Sequence, residues 1–414
     1  MTAPSPSGTD VAFGVDVGGT KVLGVAVDRT GAVLCEVRLP TPRPAGGRGR
    51  QGGARGQVPG AWLADAVLEV VATLGREAGG VAAGVPVGVG VPGVVDSRRN
   101  LRIAPNLSGA QGADLRALLA RALPGTAAVV DNDANLAGLA EHALGAARGA
   151  PSVLLVTLGT GIGGAVISGG RVQRGAHGFA GEVGHMLVQP SGLPCPCGRR
   201  GCWEQYASGE GLGRMARQAA RAGSLDQVVA LAGGDLEQVR GEHVTMAAAA
   251  GDGQARALLD RLGWWVAFGL ANLVAVLDPA RIVVGGGLAQ AGELVVAPVR
   301  RAFATLVYAG GRRPDIPIVA AALGERAGAI GAALAARRAA ARRAGGEGHG
   351  ATPRDAPVVA AEAAATTTSS APPAGPTSTS ATAATTSSAP PAGASTTAPP
   401  ASSSAADRGR GKRP

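Results

Sequence analysis

The 414-residue chain is poor in aromatic side chains, with four Trp, four Phe and two Tyr making up 2% of it. That is too few to build a stacking platform for single-stranded nucleic acid. A core must therefore be assembled mostly from Val, Leu and Ala. Cysteine is scarce as well, with four residues. Three of them crowd between Cys195 and Cys202, while Cys35 stands alone. Such clustering points to a metal site in a reducing compartment and against a disulfide framework. No charged segment followed by an apolar run opens the chain, so no signal peptide is expected. No run of 18 apolar residues occurs, so no membrane span is expected and a cytoplasmic location follows. Glycine is abundant at 67 residues, yet without a Gly-X-Y period, which excludes collagen.

What is present suffices for two domains. Hydrophobic residues make up 46% of the chain, and the length allows two α/β units. The Ala/Gly/Arg/Val bias suggests a GC-rich genome. The formal charge is +10, with much of the excess in Arg43 to Arg55 and at the chain end. Solvated loops account for it more simply than a nucleic-acid surface does.

Residues 1–10 read as disordered. Val11–Val17, Val22–Val27 and Ala32–Leu39 read as strands, the last two joined by the turn Asp28-Arg29-Thr30-Gly31. Residues 43–60 read as a flexible Arg/Gly/Pro loop. Helical spacing marks Trp62–Leu74, Leu115–Leu123 and Ala134–Ala147; Val85–Val91 and Ala127–Val130 read as strands. A second unit starts near Pro151, giving an N-terminal lobe over 11–150 and a C-terminal lobe over 151–344. Strands Ser152–Leu158 and Gly164–Ser168 open it, and a Cys-rich loop follows. Helices then run from about Gly209 to Leu277. Arg281–Val284 and Ile316–Val319 read as strands around a helix at Gly292–Val307. A last helix spans about Arg326 to Arg343, stopped by Gly345 and Gly346. From Gly345 to Pro414 the Ala/Thr/Ser/Pro-rich chain holds too little apolar matter to fold, and a disordered tail over 345–414 is expected. Both lobes begin strand, Gly-rich turn, strand, as in a clamp that closes on a nucleotide.

Five motifs carry chemistry. Asp16-Val17-Gly18-Gly19-Thr20-Lys21 lies between two strands. Its glycines let backbone N–H groups approach phosphate oxygens, Lys21 can meet their charge, and Asp16 can hold hydrated magnesium. An ordinary glycine hairpin is the competing reading. Gly159-Thr160-Gly161-Ile162-Gly163-Gly164 repeats the pattern in the second lobe. It has the spacing of a dinucleotide fingerprint, but a strand follows where that fold needs a helix. Asp131-Asn132-Asp133-Ala134-Asn135 joins a strand to a helix, a usual place for catalytic groups, and Asp131 is a candidate helix cap. Turn chemistry alone is the alternative. His185, Cys195, Cys197 and Cys202 give His-x9-Cys-x-Cys-x4-Cys, three thiolates and an imidazole for a closed, structural zinc site. Glu182 and Glu204 bracket those ligands. Val283-Val284-Gly285-Gly286-Gly287 ends a strand and can face an adenine or ribose, or be a plain strand–helix turn.

Gly181-Glu182-Val183-Gly184-His185-Met186, followed by Cys195-Pro196-Cys197-Gly198-Arg199-Arg200-Gly201-Cys202-Trp203-Glu204-Gln205-Tyr206-Ala207-Ser208, resembles the signature of the ROK family of repressors, open reading frames and kinases. The resemblance covers about residues 11–340 and is closest to bacterial, actinobacterial-type ATP-dependent glucokinases. It implies a two-lobed actin/hexokinase-like fold, a duplicated ribonuclease H-like motif with a zinc loop. It implies that Asp16, Gly18, Gly19, Thr20 and Lys21, then Gly159, Thr160, Gly161 and Gly163, hold phosphates. Gly285, Gly286 and Gly287 would hold adenosine, and Asp133 would be the general base. Gly93, Asn106, Asn132, Glu182, His185 and Glu204 would contact the sugar. The implied reaction is ATP-dependent phosphorylation of a hexose at its 6-hydroxyl, glucose foremost, with magnesium accompanying ATP. Fructokinase and N-acetylhexosamine kinase are the alternatives. A homo-oligomer, dimer or tetramer, without nucleic-acid or membrane partners, is implied too. A sugar-sensing regulator would need a helix-turn-helix before the first phosphate strand, and the strand at Val11 leaves no room for one.

Overall fold

The computed structural model describes residues 11–42, 58–80, 84–107 and 109–344. The expectations for residues 1–10, for most of the 43–60 loop, for the Gly345–Gly346 stop and for the 345–414 tail fall outside them. The strands are β1 (Ala12–Val17), β2 (Lys21–Val27), β3 (Val33–Pro40), β4 (Val87–Val91), β5 (Val94–Val95), β6 (Leu101–Ile103), β7 (Ala128–Asn132), β8 (Ser152–Leu158), β9 (Ile162–Ser168), β10 (Arg171–Val172), β11 (Arg281–Gly285) and β12 (Ile318–Ala320). The helices are α1 (Ala61–Glu77), α2 (Leu115–Ala122), α3 (Asp133–Ala143), α4 (Glu204–Ala207), α5 (Gly209–Arg221), α6 (Asp226–Leu231), α7 (Gly241–Ala249), α8 (Gly253–Leu277), α9 (Glu293–Leu306) and α10 (Ala327–Ala344).

Two sheets repeat one topology. The first runs β3-β2-β1-β4-β7 and the second β10-β9-β8-β11-β12. In each, the first three strands in sequence pair antiparallel and the last two add in parallel. This is the duplicated ribonuclease H-like motif of the actin/hexokinase-like fold. The Asp28 turn forms as its chemistry requires: Asp28 Oδ1 accepts from the backbone N–H groups of Thr30 and Ala32 at 2.8 and 2.9 Å. The short strands β5, β6 and β10 carry too few residues for a periodic signal, and their two- and three-residue pairings are visible only in three dimensions.

Alternation sorts each strand onto two faces. Phe13, Val15 and Val17 of β1 join Val87, Val89 and Val91 of β4 in a core shared with α1 and α2. The opposite face carries Ala12, Gly14, Gly88 and Gly90. Here α10 lies against the sheet, its Ala329 and Ala333 packed with Leu23 and Val25. A β-carbon on Gly14 would stand 1.9 Å from Ala329 O, and one on Gly88 would stand 1.9 Å from Ala332 O. Helix and sheet backbones thus touch directly.

The sheets divide near residue 150, but the helices cross that line. Helix α10, the last among the described residues, packs on β1, β4 and β2; α3 packs on α10 with one side and on β8 and β9 with another. Ala137 of α3 meets a cluster with Leu155, Ala165 and Ile167, while Leu139 and Ala140 join the α10 cluster. The two helices therefore lie back to back between the sheets. Beyond the second sheet, α5, α7, α8 and α9 supply the largest core. Helix α8 is long and apolar enough to cross a membrane, with half of its most apolar stretch buried in this core.

Overpacking a rigid backbone contact typically costs a few kcal/mol. Gly88→Ala is expected to lower the unfolding free energy by about 3 kcal/mol in urea titrations. Gly253→Ala, in the first turn of α8 with nothing within 4 Å of the added carbon, is expected to raise it by up to about 1 kcal/mol.

A candidate active site between the two sheets

Ligands of open α/β sheets lie beyond the carboxyl ends of the strands. Those ends hold the motif residues here. Asp16 and Thr157 are next to last in β1 and β8, Asp133 opens α3 directly after β7, and Gly285 ends β11. A cavity of about 180 Å³ lies among Asp16, Asp133, Thr157, Gly285, Gly286 and Gly328. Glycine keeps it open: a β-carbon on Gly90 would lie 3.2 Å from Asp16 Oδ1 and 3.6 Å from Asp133 Cα. One on Gly328 would lie 2.5 Å from Asp16 Oδ2.

Both glycine hairpins are built and held. Gly18 N–H donates to Lys21 O at 2.8 Å, and Thr41 Oγ1 holds Gly18 O at 2.7 Å. Gly159 N–H donates to Gly161 O at 3.0 Å, and Gly209 N–H reaches Gly159 O at 2.7 Å. Gly286, with φ of 85°, passes so close that a β-carbon would meet Leu158 O at 2.5 Å. The third glycine segment is thus brought against the second hairpin. Lys21 pairs with Glu325, which also pairs with Arg38. Those two cations draw the Glu325 carboxyl down to about 2.

Asp16 and Asp133 in this space, and Glu182 near them, are pushed the other way. Burial raises Asp16 to about 7, reinforced by Asp133 and opposed by Lys21. Burial raises Asp133 to about 6, although the Ala134 N–H donates to its Oδ1 at 2.8 Å. Glu182 rises to about 7 through burial, then through Asp133 and Glu204. The charges of Asp133 and Glu204 thus stand near enough to Glu182 to oppose its ionisation.

Asn132, not Asp131, caps α3: its Oδ1 accepts from Asn135 N–H at 2.9 Å. Asp131 points instead to Arg99 and Arg174. The Asn132 amide also donates to Gly93 O at 3.0 Å, leaving one N–H for a ligand. Asn106 stands beside the first hairpin, its Cβ 3.8 Å from the space above Gly19. Residues that motif reading missed include Thr157, Glu325 and Gly328 at the cavity. Glu141 was missed as well. It is fully buried and takes backbone N–H bonds from Ala146, Ala322 and Leu323. An acidic residue inside an Ala/Leu helix was the available signal.

The cysteine knuckle adjoins the pocket. Ligand atoms of His185, Cys195, Cys197 and Cys202 all lie within 4.8 Å of one another. Cys197 and Cys202 sulfurs are 3.6 Å apart, and Cys195 Sγ is 3.8 Å from His185 Nδ1. Tetrahedral thiolates at about 2.3 Å from zinc stand about 3.8 Å apart, so the donor set fits that ion. Glu204 Oε1 lies 3.0 Å from Cys195 Sγ and 3.7 Å from His185 Nδ1, while its Oε2 crowds Gly161. One side chain therefore links knuckle and phosphate hairpin. Beneath them Trp203 is fully buried, donating to Trp265 O at 2.7 Å. Tyr206 accepts from Leu193 N–H at 2.7 Å and meets the Trp265 ring at 4.5 Å.

Raised carboxyl values make the pocket costly to ionise. Between about pH 4 and 7 the native chain retains protons that the unfolded chain releases, so this contribution to stability falls as pH rises. Asp16→Asn, with magnesium and nucleotide left out, is expected to raise the urea midpoint at pH 8. The gain should shrink at pH 4, where the wild-type carboxyl is already protonated in the native state.

The sequence profile of the ROK family matches residues 12–339. A glucokinase of Streptomyces coelicolor is 38% identical over 330 residues, 78% of this chain and 97% of that protein. A glucokinase of Thermotoga maritima is 33% identical over 325 residues, 78% of this chain and 95% of its own length. Among solved structures, a ROK family glucokinase from Streptomyces griseus in complex with glucose and AMPPNP superposes with a TM-score of 0.69 at 38% identity. That match covers 79% of this chain and 99% of the other. The similarity runs through both sheets and the knuckle beside them, and the chain belongs to the ROK family.

Proposed function

We propose that this chain transfers the terminal phosphoryl group of ATP to the 6-hydroxyl of a hexose, with glucose as the preferred acceptor. The observation that carries it is Asp133, a carboxylate raised to about 6 by burial, lining one cavity with Asp16, Gly285 and Gly286 at the strand ends. A general base works best with a pKa near the operating pH. Asp133 accepts the 6-hydroxyl proton as that oxygen attacks phosphorus. Gly18 to Lys21 and Gly159 to Gly163 hold the phosphates in line, and most of the rate gain comes from positioning and charge stabilisation. Asp16 offers a hard carboxylate to magnesium, which supplies countercharge to the phosphates.

The acceptor must be neutral and rich in hydroxyl donors. Three crowded carboxylates, Asp133, Glu182 and Glu204, repel an anion and accept hydrogen bonds. Glucose, rather than fructose or an N-acetylhexosamine, is supported by the glucokinase relatives and by the glucose-bound neighbour. Asn106, Asn132, Gly93 and His185 complete the sugar contacts, and Gly285 to Gly287 face the adenosine. His185, Cys195, Cys197 and Cys202 would hold zinc, which would tie down the loop carrying Glu182 and Glu204, and a closed four-ligand site would supply no hydroxide to the chemistry. Clustered thiols suit a reducing cytoplasm. A homo-oligomeric enzyme of glycolysis, without nucleic-acid or membrane partners, and with its sheets divided between lobes at 11–150 and 151–344, completes the reading.

A coupled ADP-release assay over glucose, mannose, fructose, N-acetylglucosamine and N-acetylmannosamine should give glucose the highest kcat/KM. A higher value for N-acetylmannosamine would overturn that preference. Asp133→Asn should retain fold and glucose affinity while kcat falls by roughly 10²–10⁴. Near-wild-type kcat with a lowered melting point would remove Asp133 from the chemistry. Elemental analysis should find one zinc per chain, and Cys195→Ala should lose zinc, stability and glucose affinity together. Full activity with well under one zinc sinks the structural assignment.

A further inference from the structure

Asp131 precedes the sugar and base residues Asn132 and Asp133 and takes no part in the chemistry above. Its side chain is 2% exposed. Oδ1 accepts from the Asn132 backbone N–H at 2.9 Å. Oδ2 meets two guanidinium groups, Arg99 Nη1 at 2.9 Å and Arg174 Nε at 2.8 Å. Each arginine has a second anchor on the backbone: Arg99 donates to Val130 O, and Arg174 to Val172 O.

These arginines come from opposite halves. Arg99 sits in the β5–β6 hairpin, which starts beside Gly93 and leads to Asn106. It holds a left-handed φ of 71°, a conformation that a β-carbon disfavours and that its surroundings must enforce. Arg174 follows β10 and opens a segment, closed by Ala180 N–H on Arg174 O at 3.1 Å, that runs to Glu182. The two segments also touch directly. Ser97 N–H donates to His177 O at 3.1 Å, and a β-carbon on Gly178 would stand 2.5 Å from Val95 O. Three walls of the acceptor pocket, bearing Asn132, Asn106 and Glu182, therefore meet at one carboxylate.

We infer that Asp131, Arg99 and Arg174 form an ionic latch that sets the spacing between the Asn106 and Glu182 walls, making Asp131 a positioning residue for the sugar. This rests on the hexose-kinase reading. A buried ion pair is a poor source of net stability, because desolvation cancels much of its attraction. Its value lies in geometry. Both arginines sit on the two segments that meet across the halves at Ser97–His177 and Val95–Gly178. Guanidinium forks impose direction as well as distance. Losing the latch loosens the pocket without touching the phosphate hairpins.

The test compares wild type with Arg99→Gln, Arg174→Gln, Arg174→Lys and Asp131→Asn. Wild-type turnover of glucose is measured first; no turnover of any hexose rejects the kinase reading and this inference with it. Given turnover, each Gln variant should raise the KM and calorimetric Kd for glucose about 10-fold, with KM for ATP within about twofold and kcat changed less than KM. Arg174→Lys keeps the charge without the fork and should recover part of the loss. Hydrogen exchange should quicken together in 93–107 and 174–182. A lowered melting temperature with unchanged glucose KM in both Gln variants would show a purely structural charge cluster and overturn the latch. Each Gln variant leaves Asp131 one partner, so this pair decides between the two outcomes even if Asp131→Asn does not fold.

Discussion

The contact of α10 with the glycine face of the first sheet governs the rest of this structure. Backbone meets backbone at Gly14 and Gly88, so helix and sheet have no side-chain layer to adjust. The same helix presses Gly331 against Leu136 O and sets Gly328 beside Asp16. Through the first contact it fixes α3, whose opening residue is Asp133. The proposed base and magnesium ligand are thereby placed by one rigid stack. Because α3 also rests on the second sheet, any change in the angle between halves must pass through this stack. Packed helices slide by small amounts, which is the type of motion a clamp over ATP needs.

Around that stack the chain gathers unfavourable charge. Asp16, Asp133 and Glu182 are held with their pKa values well above the ordinary carboxylate range. Nothing in folding rewards such an arrangement. It persists because glycine backbone, the cysteine knuckle and the Asp131 cluster over-determine the positions. The price in stability is local, while the large core beyond the second sheet reaches the site through Val183 and Trp203, beside Glu182 and Glu204. Glu325 shows the reverse case, with two cations drawing it well below its usual value.

Much of this was legible in the sequence. Glycine turns between apolar runs placed β1, β2, β8 and β9 within one or two residues. Cysteine spacing placed the knuckle, since four donors so close in sequence leave few other arrangements. Charge partners were not legible. Asp131 reads as a cap because caps are local, whereas Arg174 lies 43 residues away and no periodicity connects them. Lys21 and Glu325 are 304 residues apart. The exchange of α3 and α10 between sheets was hidden for another reason. An Ala/Gly-rich helix in a chain of this composition looks like genomic bias, yet Ala329 and Ala332 are small because the sheet stands directly against them, and Gly331 because α3 does.

The aromatic residues, so few overall, are also unevenly placed. Trp203, Trp264 and Trp265, with Tyr206 and Phe268, form one cluster under the cysteine knuckle. Of the four tryptophans, Trp62, in α1, is the one that lies elsewhere. The intrinsic fluorescence of the unlabelled chain is therefore a local optical signal. Three of the four tryptophans report the ground beneath the sugar loop, and Trp62 alone reports the core of the first sheet; replacing Trp62 by Phe would leave an emission that responds to the sugar-loop side alone.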